Sequence, residues 1–180
     1  LVERREETFE QPTSNNFRAD RGRTSFVGEV RGEYFSLLNL GASLRRDNNE
    51  AFDNTTDWRL DGSLKVPSSP FRIHASYGTG TKLPSFAELY GTFFRYAPNP
   101  DLKPERSKGW DVGVETTVLG GRGVLDVTYF DANLTNEITE DYSLYPLIRP
   151  ANMAGESQRR GIEVAGRLQV LPGVLVGAAY

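Results

Sequence analysis

Between positions 90 and 96 the chain reads Y-G-T-F-F-R-Y, so five of seven consecutive residues, Tyr90, Phe93, Phe94, Arg95 and Tyr96, are aromatic or arginine. Such side chains present large contact area at low entropic cost, and the guanidinium adds a cation, which suits recognition of a bulky anionic group. The same residues would also supply the small core that a long ordered loop needs in order to pack on itself. Covalent chemistry has no comparable basis. With one His and no Cys in 180 residues, no Ser-His-Asp arrangement, thiolate nucleophile or Cys-based zinc site can be assembled. Gly78-Thr79-Gly80-Thr81-Lys82 lacks the Gly-Lys-Ser/Thr order of a phosphate loop and no long helix follows it. Asp47, Asn49 and Asp53 are spaced like calcium ligands, yet the turn glycine is missing and Trp58 stands where the bidentate Glu belongs. Glu137, Glu140 and Asp141 read as solvated loop acids, with a loop calcium site as a minor alternative. The expectation is a binding function without catalytic residues, cofactor or metal.

The cluster follows a short helical signal. Ser85 with Glu88 three residues later forms a capping box behind Pro84, so one or two helical turns should begin there. On both sides the chain alternates with period 2. Trp58, Leu60, Gly62, Leu64 and Val66 oppose Asp57, Arg59, Asp61, Ser63 and Lys65. Phe71, Ile73, Ala75 and Tyr77 oppose Arg72, His74, Ser76 and Gly78. Rows of the same kind run through Trp110–Val118, Ile162–Val170 and Leu38–Leu44, and weaker ones through 1–9, 23–33, 122–133 and 174–180. The pattern predicts an all-β fold of about nine antiparallel strands, each near 9–12 residues.

Connection lengths alternate. Long ones are expected at 10–22, 47–54, 79–106 and 134–157, and tight turns near Gly32-Glu33-Tyr34, Pro67–Pro70, Gly120–Gly123 and Leu171-Pro172-Gly173. In an antiparallel meander every second connection lies at the same end, so all long loops share one end, the layout of a transmembrane β-barrel. The 79–106 loop opens with the helical turn, and Pro98, Pro100 and Pro104 hold its descending arm extended.

Alternation alone leaves open whether the apolar rows meet lipid or a protein core. Trp58, Tyr77, Trp110 and Tyr129 lie in apolar rows near the long-loop end, the position of an interfacial aromatic girdle. Phe35 and Phe71 flank short turns and could form the opposite girdle. The polar rows would then face a wet lumen, where charges need no individual pairing and His74 needs no ligand role. A net charge of −3 without a basic stripe argues against nucleic acid as a partner. No run of about 18 apolar residues offers a membrane helix, which is no obstacle to a barrel.

From Phe71 the run F-R-I-H-A-S-Y-G-T-G-T-K-L-P-S-F-A-E-L-Y-G, then N-P-D-L-K-P-E-R-S-K-G-W-D-V-G-V-E from Asn99 to Glu115, resembles the barrel of TonB-dependent outer-membrane receptors, most of all their cobalamin and ferric-siderophore branches. Ser76-Tyr77-Gly78, Leu83 to Tyr90 and Asn99 to Ser107 carry the resemblance, with Arg159-Arg160-Gly161-Ile162-Glu163 as a further strand start. It implies a bacterial outer-membrane location, lipid around the barrel, uptake of a scarce metal-chelate, haem or cobalamin-like ligand, and energy from TonB acting through a plug domain that this stretch does not contain. A complete barrel of that kind has about 22 strands, so residues 1–180 are expected to be a central part of one. A small complete barrel with a structural or adhesion role, and a soluble β-barrel or sandwich binder, are the competing readings.

Overall fold

Period-2 alternation becomes strand wherever it was read, and the chain follows a single antiparallel path. The structure, a computed structural model, describes residues 1–11, 17–91 and 95–180. In chain order the elements are β1 (Val2–Gln11), β2 (Phe17–Tyr34), β3 (Leu38–Asn49), β4 (Thr55–Lys65), β5 (Phe71–Lys82), α1 (Phe86–Tyr90), β6 (Glu105–Val118), β7 (Gly123–Thr135), β8 (Ile138–Asp141), β9 (Arg149–Asn152), β10 (Glu156–Leu171) and β11 (Val174–Ala179). Nine of them form one sheet in the order β1-β2-β3-β4-β5-β6-β7-β10-β11, while β8 and β9 pair separately. Each strand bonds to its neighbour in sequence, apart from the step over the β8–β9 hairpin. The sheet is open: β1 and β11 are its two edges.

Register decides the faces. Leu44 pairs with Trp58, Leu60 with Tyr77, Tyr77 with Trp110, and Val112 with Tyr129, so the apolar rows of successive strands share one face. On it the four expected aromatics make a continuous row. Trp58 meets Tyr77 edge-on at 5.2 Å between ring centroids, and Trp110 lies 5.5 Å from Tyr129. At the turn end Phe71 is exposed on this face and Phe35 sits in the turn itself. The other face carries the charged rows and forms a trough of about 760 Å³ walled by side chains such as Arg59, Asp61, Arg72 and His74.

Four expectations need correction. First, the connection expected at 10–22 is mostly strand, because β1 and β2 stay paired up to Gln11↔Phe17. On the face that carries the apolar rows lower down, this extension is polar and held by cross-strand contacts, among them Thr8 to Asp20 at 2.7 Å and Arg18 to Glu10 at 3.2 Å. β2 thus reaches 18 residues, and β6 and β10 reach 14 and 16, beyond the expected 9–12. Second, the first tight turn lies at Phe35 and Ser36, both at φ 54°, with Leu37 N donating to Tyr34 O. Two successive left-handed residues reverse the chain within the three residues between the paired Tyr34 and Leu38, and no Gly marks them; Gly32 instead lies in β2 opposite Leu40. Third, the connection at 134–157 contains the β8–β9 hairpin. Fourth, several side chains of the charged rows are individually paired: Arg72 bonds Glu115 at 3.0 Å, His74 bonds Asp126 at 2.7 Å, and Ser76 bonds Asp111. Arg72 with Glu115 and Ser76 with Asp111 are register partners on adjacent strands, while His74 reaches one strand further, to β7.

Candidate functional site

The long-loop end is built from two connections, 83–104 and 136–155. In the first, α1 starts where the capping box predicts. Ser85 Oγ accepts from Glu88 N at 3.3 Å while Ser85 N donates to the Glu88 carboxylate at 2.6 Å, satisfying two of the free donors at the helix start. The helix ends at Gly91, φ 71°, where a Cβ would lie 2.8 Å from Tyr96 O. Only glycine fits both that dihedral and that approach.

What α1 packs against could not be read from the sequence. The β3–β4 hairpin stops at Asn49 and Thr55, leaving the taller β1–β2 pair without a lateral neighbour in the sheet at that height. The helix crosses this gap. Phe86 stacks on Phe9 with centroids 5.6 Å apart, Tyr90 meets Phe17 at 4.9 Å, and the Arg21 guanidinium lies 4.6 Å over the Phe86 ring. Arg21 also donates to Pro84 O at 2.7 Å. By strand parity Phe9, Phe17 and Arg21 belong to the charged face, so the helix docks on the trough side.

The two loops are fastened to each other. Tyr96 and Ile148 form a parallel bridge, with Ala97 N donating to Ile148 O and Ile148 N to Arg95 O, both at 2.8 Å. Asn99 Nδ2 donates to Pro150 O at 2.8 Å. Asn152 takes both backbone groups of Lys103, accepting from N at 2.8 Å and donating to O at 2.9 Å, and also donates to Asn136 O at 2.7 Å. Glu105 accepts from Ile138 N at 2.9 Å and lies 3.2 Å from Lys82 Nζ. Leu89, Leu102, Pro84 and Pro150 are buried beneath this clasp. The Asn-Pro-x-Leu-x-Pro-Glu stretch is therefore a joint between loops: Asn99 and Glu105 bond across it and Leu102 plugs into it.

Of the five candidate contact residues, the structure separates three. Tyr90 is half-buried against Phe17 and Phe86. Arg95 is exposed and in no ion pair among the described residues, its carbonyl held by Ile148. Tyr96 is half-buried. Desolvation, then the carboxylates of Glu88 and Glu140, hold its phenol above the usual range, so it remains a hydrogen-bond donor near neutrality. Phe93 and Phe94 lie outside the described residues. The loop acids are engaged one by one: Glu137 with Ser157 and Arg159, Glu140 with Tyr142, Asp141 with Ser143. Asp47 lies in β3, buried and gripped by Arg45 at 2.9 Å, so the calcium-like spacing is split between the strand, with Asp47 and Asn49, and the following connection, with Asp53. Among the described residues no cluster of three His, Cys, Asp or Glu is placed to hold a metal.

A model of the family described as TonB dependent receptor-like, beta-barrel matches residues 5–180. The chain is 37% identical over 81 residues to the vitamin B12 transporter BtuB of Vibrio vulnificus (strain YJ016), an alignment covering 45% of this chain and 13% of that protein. To the protein of the same name in Vibrio vulnificus (strain CMCP6) it is 29% identical over 129 residues, 72% of this chain and 19% of the other. It thus spans less than a fifth of these relatives. Among solved structures, the siderophore receptor PirA of Pseudomonas aeruginosa superposes with a TM-score of 0.79 at 20% identity, over 94% of this chain and 33% of its own. The Serratia marcescens hemophore receptor HasR, in complex with its hemophore HasA and heme, gives 0.70 at 16% identity, over 93% and 38%. These structures share the fold.

Proposed function

Since the chain belongs to the TonB-dependent receptor-like β-barrel family, whose members are transporters and receptors of the Gram-negative outer membrane, we propose that it is part of the barrel wall of such a receptor. That receptor captures a ferric siderophore, haem or cobalamin-like ligand at its loop end and imports it with energy from TonB, transmitted through a plug domain elsewhere in the protein. The apolar face with its aromatic row meets lipid, and the charged trough faces the lumen. Tyr90, Phe93, Phe94, Arg95 and Tyr96 form a capture surface, in which Tyr90 also anchors α1 and Arg95 and Tyr96 offer a cation and a phenol donor.

The observation that carries this reading is the two-sidedness of the nine-stranded meander: one face an apolar band with four aromatics near the loop end, the other a charge-lined trough. The test is uptake. The full-length protein, expressed in a Gram-negative strain deleted for its own receptors, should restore import of cobalamin, haem or a ferric siderophore, and deletion of TonB should abolish it. Surface-displayed protein that restores none of the three, or import indifferent to TonB, would sink the proposal.

A further inference from the structure

Below α1, on the charged face, lies a pocket of about 270 Å³ lined by Arg5, Glu7, Arg21, Arg23, Lys82 and the neighbouring chain to Leu83. Four of these are cations and one is a carboxylate. The position follows from the short β3–β4 hairpin: the pocket occupies the gap between the tall β1–β2 pair and the top of β5, with α1 bridging above.

Two features set this cluster apart from the paired charges elsewhere on the face. Arg5 and Arg23 are direct cross-strand partners, and like charges in that relation destabilise a strand pair. The nearby carboxylates do not relieve them fully. Glu7 serves Arg21, whose Nε donates to it at 2.9 Å, and also pairs with Arg5 at 3.0 Å. Asp47 is taken by Arg45 at 2.9 and 3.1 Å and lies 3.7 Å from Arg23. Arg23 itself donates no hydrogen bond to any described residue, although its side chain is only 25% exposed. A half-buried guanidinium with unused donors, facing a concavity beside a second arginine, matches the fork geometry that receives an oxyanion.

We infer that this pocket is an anion-binding site, with Arg23 and Arg5 gripping a carboxylate or phosphate group of a ligand, while Lys82 at the mouth is held by Glu105 at 3.2 Å. Arg21 is a positioning residue, since its donors and its face are committed to Glu7, Pro84 and Phe86. The inference takes from the proposed function only that this face looks into the lumen, and it concerns a different place from the Arg95–Tyr96 loop. An anion bound there would neutralise the opposed arginines.

The test is titration of the full-length protein, purified in detergent, with citrate and with inorganic pyrophosphate by calorimetry. Saturable binding is expected for at least one of them. Arg23→Gln should weaken it tenfold or more, Arg23→Lys should fall between, and Lys65→Gln, the same charge change at the turn end, should leave it within twofold. Absence of saturable binding to protein that runs as an assembled barrel would overturn the site, as would equal weakening by Arg23→Gln and Lys65→Gln. Uptake measured in parallel separates the two proposals: lost anion binding with intact TonB-dependent import refutes the pocket alone, and specific anion binding without import sustains it.

Discussion

His74 and Asp126 are hydrogen-bonded at 2.7 Å although they sit on β5 and β7, which do not pair. The intervening position on β6 is Gly113, the register partner of both His74 and Thr128. A Cβ there would lie 2.4 Å from His74 Cε1 and from Thr128 Oγ1, so the missing side chain is what lets the imidazole cross the strand. Gly113→Val should therefore destabilise the barrel by about 1–3 kcal/mol, read as a lower midpoint for loss of the heat-resistant folded band. Gly113→Val with His74→Ala should recover part of the loss, Thr128 Oγ1 remaining in the way, and a double variant no better than Gly113→Val would count against this account.

The faces can be separated by one pair of neighbours. Leu64→Arg places a charge in the apolar band one residue before the end of β4, so it should cost less than the roughly 2–4 kcal/mol of a midplane site but clearly more than Ser63→Arg on the trough face. Unfolding in lipid vesicles measures both. Equal tolerance would contradict the assignment of lipid and lumen.

The joint between the loops rests heavily on Asn152, which bonds both backbone groups of Lys103. Asn152→Ala leaves those groups to water and should weaken the clasp by about 1–3 kcal/mol. Hydrogen exchange should speed up at 95–104 and 148–152 together, with β4 to β7 unchanged. Faster exchange in only one of the two loops would show that they do not act as one body.

Arg95 and Tyr90 should behave differently. Arg95→Glu, at an exposed side chain, should weaken binding of an anionic ligand by about 1 kcal/mol or more without disturbing assembly. Tyr90→Ala removes the ring that meets Phe17 at 4.9 Å and should loosen α1 from β1–β2, visible as faster exchange at 86–91. Unchanged ligand binding in Arg95 and Tyr96 variants at normal surface display would reduce the cluster to loop packing.

Sequence alone determined the parity of the strands, their number in the main sheet, the row Trp58, Tyr77, Trp110, Tyr129, and the cap of α1. Each is a local property: apolar alternation follows from which face leaves water, and Ser85 with Glu88 satisfies donors within one turn. Sequence was silent where a periodic run is too short to read. The upper part of β2 alternates over only four residues, Phe17 and Ala19 against Arg18 and Asp20, with one face held by the polar pairs Thr8–Asp20 and Glu10–Arg18, and the β8–β9 hairpin, with Glu140 opposite Pro150, has no period either. Only the tertiary structure decided that Phe86 and Tyr90 meet Phe9 and Phe17, that His74 reaches Asp126 over Gly113, and that Arg5 faces Arg23. Those contacts depend on register and on the unequal heights of neighbouring hairpins, which are set by pairing between residues far apart in the chain and leave no periodic trace in any one segment.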